Sequence, residues 1–110
     1  MKIGIDIIEV ERMRGLGEKM NRVFSADEMK YLESKNFAPE TIAGMFSAKE
    51  AFFKALGTGV MHGKLRQVEI LHHQSGQPFY RLGNDFEKNL SVSLSISHTS
   101  KTAVAVCVIY

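Results

Sequence analysis

The C-terminal nine residues, TAVAVCVIY (102–110), are apolar on both sides of an extended chain. Such a strand has no face to offer water, so it belongs at the centre of a sheet or buried between subunits. Its partner is adjacent in sequence. SVSLSISH (91–98) alternates strictly, with serines at 91, 93, 95 and 97 opposite Val92, Leu94, Ile96 and His98. A turn at Thr99–Lys101 joins the two runs, and a connection that short makes them antiparallel.

The remaining segments supply what must cover this sheet. Ile3, Ile5 and Ile7 alternate with Gly4 and Asp6, the signature of a short strand. Residues 9–20 are polar and charge-rich and read as helical, interrupted near Gly15 and Gly17. SADE (25–28) matches a capping box, with Ser25 at the N-cap and Glu28 three residues on, opening a helix to about Ser34. Pro39 suits a first helical position, and the pattern from there runs to Leu56, with Gly57 as a left-handed stop. QVEILHH and QPFYRL flank Ser75-Gly76 as a β-hairpin, and residues 84–90 read as a short helix. Helices and antiparallel strands are grouped rather than alternating. The expected class is α+β, an antiparallel sheet packed against one long helix and shorter ones.

A chain of 110 residues that is 45% hydrophobic and 24% charged fits one globular domain, residues 1–110. No apolar run approaches the ~20 residues that span a bilayer. MKIGIDII meets Glu9 and Glu11 at once, so neither a signal peptide nor a membrane partner is expected. The single cysteine, Cys107, reads as an inert core thiol in a reducing cytoplasm. Net charge is only +2, but Arg12, Arg14, Lys19 and Arg22 face a lone Glu18 within residues 12–22. That segment is either a solvated face or a dock for an acidic partner.

FSAKEAFFKALGTG (46–59) carries the densest chemistry. Ser47, Glu50 and Lys54 recur at spacings of three and four, along one helix face. A plain i,i+4 ion pair there is worth only about 0.3–0.5 kcal/mol. Asp6 is harder to dismiss, because aspartate is depleted in strands and a buried carboxylate is costly. It either caps the following helix or, with Glu50, forms a two-carboxylate oxygen site suited to Mg²⁺. Gly57-Thr58-Gly59 is no P-loop, since the G-x-x-x-x-G-K-[ST] spacing is absent around Gly63-Lys64. It is a helix stop or a backbone nest for phosphate. His98 lies in phase with its strand's apolar residues, as a structural or a catalytic histidine. His62, His72 and His73 lack metal-ligand companions, and no zinc pattern exists.

Together these segments resemble holo-acyl-carrier-protein synthase, the small trimeric class of 4′-phosphopantetheinyl transferases. GIDIIEVER (4–12) is similar to that family's G-[IL]-D first motif. FSAKEAFFKALGTG is similar to F-[AS]-x-K-E-[AS]-x-x-K-A-x-G-T-G, and SISHT (95–99) before an apolar strand is similar to the third motif. The resemblance implies Mg²⁺ bound by Asp6 and Glu50, and Lys54 placed at the phosphates of coenzyme A. It implies a coenzyme pocket lined by Gly57, Thr58, Gly59, Ser97, His98 and Thr99. The arginine matching Arg12 lies on the helix that meets the acidic carrier protein, which gives Arg14, Lys19 and Arg22 the same partner. Two departures stand out: Met45 replaces a common arginine, and Gln77 in GQP (76–78) replaces a usual basic residue.

The implied reaction is attack of a serine hydroxyl of apo-acyl carrier protein on the β-phosphate of coenzyme A, in fatty acid biosynthesis. It yields the phosphopantetheinylated carrier and adenosine 3′,5′-bisphosphate. Glu50, directly or through water, would take the serine proton, and Lys54 would stabilise or protonate the leaving phosphate. The expected assembly is a homotrimer with sites between subunits: Asp6, Glu50 and Lys54 from one chain, His98 and Thr99 from the next. A small basic α+β nucleic-acid-binding module is the competing reading. No strand carries an aromatic platform for stacking bases and no basic loop adjoins Gly57–Gly59, so no nucleic-acid partner is expected.

Overall fold

A computed structural model describes residues 1–110. Strands β1 (Lys2–Glu9), β4 (Val92–His98) and β5 (Thr102–Ile109) form an antiparallel sheet in the order β1-β5-β4. The two-faced apolar strand is therefore central. It runs in register from Lys2↔Ile109 to Glu9↔Thr102 on one side and from Val92↔Ile109 to His98↔Ala103 on the other. Strands β2 (Val68–His72) and β3 (Pro78–Leu82) form the expected hairpin around Ser75-Gly76, with Gly76 at φ 93°. Residues 10–19 form two 3₁₀ segments broken at Leu16, followed by the short α1 (Met20–Val23) and the capped α2 (Ala26–Ser34). Residues 84–90 are turns rather than a helix. Gln67 holds the segment there, donating to the Asp85 carboxylate at 2.9 Å and accepting from its main-chain N–H at 3.3 Å.

The helix α3 (Pro39–Leu56) begins at Pro39 and ends at Gly57, whose φ of 83° is the left-handed stop. It lies across the sheet at close range because both surfaces are stripped of bulk. A Cβ on Gly4 would overlap the Ala51 carbonyl oxygen, and one on Gly44 would stand 2.9 Å from Ile96 Cγ2. Ala48, Ala51, Ala55, Ala103 and Ala105 are all buried. This close crossing decides which side of β1 faces inward. Gly4, Asp6 and Ile8 go under the helix, while Ile3, Ile5 and Ile7 face away and stay 68%, 61% and 69% exposed. On the same outer face β5 presents half-buried Val104, Val106 and Val108, and β4 presents Ser93, Ser95 and Ser97.

A buried ion pair ties the second half of the fold to the first. Lys49 and Glu28 are both fully buried, with Nζ 2.8 Å from Oε1. Lys49 also donates to the carbonyls of Leu65 and Val68, each at 2.8 Å. Three donors in use require the ammonium form. Glu28 accepts from Ser25 N–H at 3.0 Å, completing its capping box, and from Ile70 N–H at 2.9 Å. Burial pushes the Glu28 carboxyl up and the Lys49 ammonium down, and these hydrogen bonds oppose it. The pair fastens α2, α3 and the hairpin to one another.

Candidate active site

Asp6 is 5% exposed and does not cap the helical segment after β1, whose N-cap is Glu9 with no side-chain bond. Its carboxylate points at α3 instead. Oδ1 accepts from Lys54 Nζ at 3.1 Å, and Oδ2 lies 3.0 Å from Ser47 Oγ. Lys54 thus pairs with Asp6 rather than with Glu50 one helical turn back, so the plain i,i+4 surface pair is not what forms. Glu50 is half-buried beside Asp6. Burial and then the Asp6 negative charge push its carboxyl up to about 7, against the opposing pull of Lys54 and Arg12.

Two carboxylates, a lysine and a serine therefore meet where β1 passes under α3. Asp6 and Glu50 offer hard oxygen donors, and no group of three or more His, Cys, Asp or Glu side chains gathers anywhere in the chain. That donor set fits Mg²⁺, which takes one or two protein carboxylates and completes its octahedron with water and phosphate oxygens. It does not fit the nitrogen- and sulfur-rich sites of zinc. Gly57, Thr58 and Gly59 follow directly at the exposed end of α3, with both glycines in the left-handed region at φ 83° and 73°.

Ser97, His98 and Thr99 are not brought to this cluster within one chain. Asp6, Ala105 and Ile96 form one row across the sheet, which sets β1 and β4 about 10 Å apart. α3 lies between them. His98 lines a cavity of about 180 Å³ on the far side of the helix with Thr41, Met45, Tyr31 and His72. Met45 precedes Glu50 by five residues, ~140° around the helix, so the helix separates the His98 cavity from the Asp6–Glu50 cluster. The departure at Met45 is part of the core, 1% exposed. His72 stacks on Tyr31 at 3.7 Å between centroids, and its Nδ1 is buried without a partner. Arg12, Arg14, Lys19 and Arg22 are all exposed. Arg12 is near enough to favour the Glu50 carboxylate, while Arg14 is engaged by Glu11 at 2.9 Å.

Residue type and spacing leave Asp6, Glu50 and Lys54 open between a structural and a site role, and the motif resemblance is what points to the site. Ser47 could be placed on the same face, but its bond to Asp6 had no sequence signal. The Lys49–Glu28 pair had none either, since nothing local announces that a lysine is buried. Cys107 is buried and its thiol is pushed up to about 11 by that burial, consistent with an inert core residue.

Comparison with known proteins gives this geometry a family context. The sequence model of the 4′-phosphopantetheinyl transferase superfamily matches residues 2–107. A holo-[acyl-carrier-protein] synthase of Clostridium tetani is 43% identical, over 97% of this chain and 93% of that protein. One from Alkaliphilus oremlandii is 44% identical over 94% and 93%. Among solved structures, the Bacillus anthracis synthase in complex with CoA (3′,5′-ADP) superposes with a TM-score of 0.86 at 34% identity, covering 98% of this chain and 94% of that one. The Helicobacter pylori synthase in complex with coenzyme A gives 0.83 at 30% identity, covering 98% and 99%.

Proposed function

Because the chain belongs to the 4′-phosphopantetheinyl transferase superfamily, we propose that it is a holo-acyl-carrier-protein synthase. It moves 4′-phosphopantetheine from coenzyme A to a serine of apo-acyl carrier protein in fatty acid biosynthesis, releasing adenosine 3′,5′-bisphosphate. In this reading residues 1–110 act as one transferase domain. No helix is long and apolar enough to cross a membrane, and the proposed place of action is the cytoplasm. The observation that carries the reading is the buried Asp6 carboxylate set between Lys54 and Glu50 on a half-open face.

Phosphoryl transfer asks a protein for alignment and charge stabilisation more than for covalent help. Asp6 and Glu50 are the residues that would hold Mg²⁺. When bound there, the ion supplies charge neutralisation at the pyrophosphate of coenzyme A. Burial and the Asp6 charge lift the Glu50 carboxyl to about 7 in the metal-free protein. The carboxylate form, which a bound cation would favour, would accept the serine proton directly or through water. Lys54 is half-exposed on a flexible stem, so its ammonium can reach a phosphate oxygen and stabilise the leaving group. Gly57, Thr58 and Gly59 would contact the coenzyme beside it. Arg12, Arg14, Lys19 and Arg22 would receive the acidic carrier protein, with Arg12 nearest the reacting centre.

The working unit in this proposal is a homotrimer with shared sites. Two features support it. The outer sheet face exposes Ile3, Ile5 and Ile7 beside Val104, Val106 and Val108, an apolar surface suited to closed symmetric burial. The half-site containing His98 lies across α3 from Asp6 and Glu50, so a neighbour's Ser97, His98 and Thr99 would complete each pocket. The test is incubation with apo-acyl carrier protein, coenzyme A and Mg²⁺, weighing the carrier by mass spectrometry. A phosphopantetheine mass gain that requires Mg²⁺ is expected. No gain with a folded enzyme and a competent carrier would overturn the function.

A further inference from the structure

Ser47 is out of keeping with its surroundings. It sits in the interior of α3 among Ala43, Ala48, Ala51 and Ala55, fully buried against the sheet. Serine is a poorer helix former than alanine, and a buried hydroxyl is costly unless bonded. A mid-helix serine commonly returns its proton to the carbonyl one turn back. This one reaches across to β1. Its Oγ lies 2.9 Å from the Asp6 carbonyl oxygen and 3.0 Å from Asp6 Oδ2. The single hydroxyl proton is thus committed to Asp6, and the charged carboxylate is the stronger acceptor.

We propose that Ser47 is a positioning residue that sets the orientation of the Asp6 carboxylate. An aspartate has two side-chain torsions, and donors on its two different oxygens restrain both. Lys54 on Oδ1 is half-exposed and is asked to leave for a phosphate, so it cannot be the lasting restraint. Ser47, immobile within the helix–sheet interface, anchors Oδ2 and leaves the Oδ1 edge on the Lys54 side, available to a cation. This inference rests on the reading of Asp6 and Glu50 as a divalent-cation pair. Outer hydrogen bonds of this kind commonly change metal affinity or activity by about 10–100-fold.

The test compares wild type, Ser47→Ala and the near-isosteric Ser47→Cys, whose thiol is a weak donor. Mn²⁺ binding without coenzyme is followed by electron paramagnetic resonance, melting is recorded in EDTA, and the variants are crystallised. Both variants should bind Mn²⁺ about 10–100-fold more weakly, with an altered Asp6 rotamer. Their turnover should recover at high Mg²⁺, with KM for coenzyme A then unchanged. Wild-type Mn²⁺ affinity in a folded variant with an unmoved Asp6 would overturn the proposal and leave Ser47 as filler. Should Ser47→Ala not fold, Ser47→Cys decides alone. Should wild type itself bind no Mn²⁺ in an Asp6- and Glu50-dependent way, the cation reading fails. The Asp6 rotamer in the variants then decides the role of Ser47, a shift supporting it and an unmoved carboxylate refuting it.

Discussion

Glu50 illustrates how a site residue acquires properties that its type alone does not confer. Its carboxyl titrates near 7 instead of 4.5, first through burial and then through the charge of Asp6. Between those values the folded protein keeps a proton that the unfolded chain has released. Stability without metal is therefore full below about pH 4.5 and falls as pH rises through 7. Glu50→Gln does not titrate, so in EDTA its melting temperature should gain on wild type as pH rises from 4.5 to 7.5, and the two should converge at the acid end. Parallel melting curves would contradict the shift. The same variant, and Asp6→Asn, should lose about 10²–10⁴-fold in turnover while remaining folded. Near-normal turnover of either at ordinary Mg²⁺ would remove the pair from the mechanism.

Among the elements, α3 joins the candidate site to the fold through adjacent residues. Glu50 looks to the site, while Lys49 points the other way into a fully buried pair with Glu28. Lys49→Met fills similar volume but leaves the buried Glu28 carboxylate without its counter-charge and takes a donor from the Leu65 and Val68 carbonyls. Urea unfolding should show a loss of about 3–5 kcal/mol; a loss under about 1 kcal/mol would mean the pair is not the clamp described. The 3₁₀ segments and α1 make a different kind of contribution, through charge. Arg14 is already engaged by Glu11, so Lys19 and Arg22 are the freer cations. Lys19→Glu with Arg22→Glu should raise KM for carrier protein and leave that for coenzyme A nearly unchanged. Added salt should weaken wild type more than the variant. Equal salt responses would argue against electrostatic docking.

For the molecule as a whole, the placement of His98 and the Asp6–Glu50 cluster on opposite sides of α3 bears on the proposed trimer. If neighbouring chains complete each pocket, Glu50→Ala and His98→Ala proteins should each be impaired as homotrimers. Co-unfolding and refolding the two together should restore roughly a quarter of the sites for random assembly in a ring. Absence of recovery despite verified exchange would refute sharing, and a monomer by light scattering would refute the trimer. Ile5→Lys, on the outer sheet face, should shift the assembly toward monomer without disturbing the helix-covered core. Its Ile5 parent is 61% exposed in the single chain, so the folded protomer has little packing there to lose.

Much of this protein follows from local pattern. Alternation from Ser91 to His98 and the two-faced apolar run after it specify adjacent antiparallel strands. Pro39 and Gly57 mark the ends of α3, and Ser25 with Glu28 caps α2, because each of these signals acts over a few residues. The spacing of Glu50 and Lys54 likewise places them on one face. Other features are long-range in origin. Alternation of Ile3, Ile5 and Ile7 makes a strand but does not say which side is inward. Gly4 beneath the Ala51 backbone decides that, turning the isoleucines out and Asp6 in. Asp6 meets Ser47 and Lys54 across 41 and 48 residues, and Lys49 meets Glu28 across 21. No window of sequence contains both partners of such contacts, and only the close packing of helix on sheet brings them together.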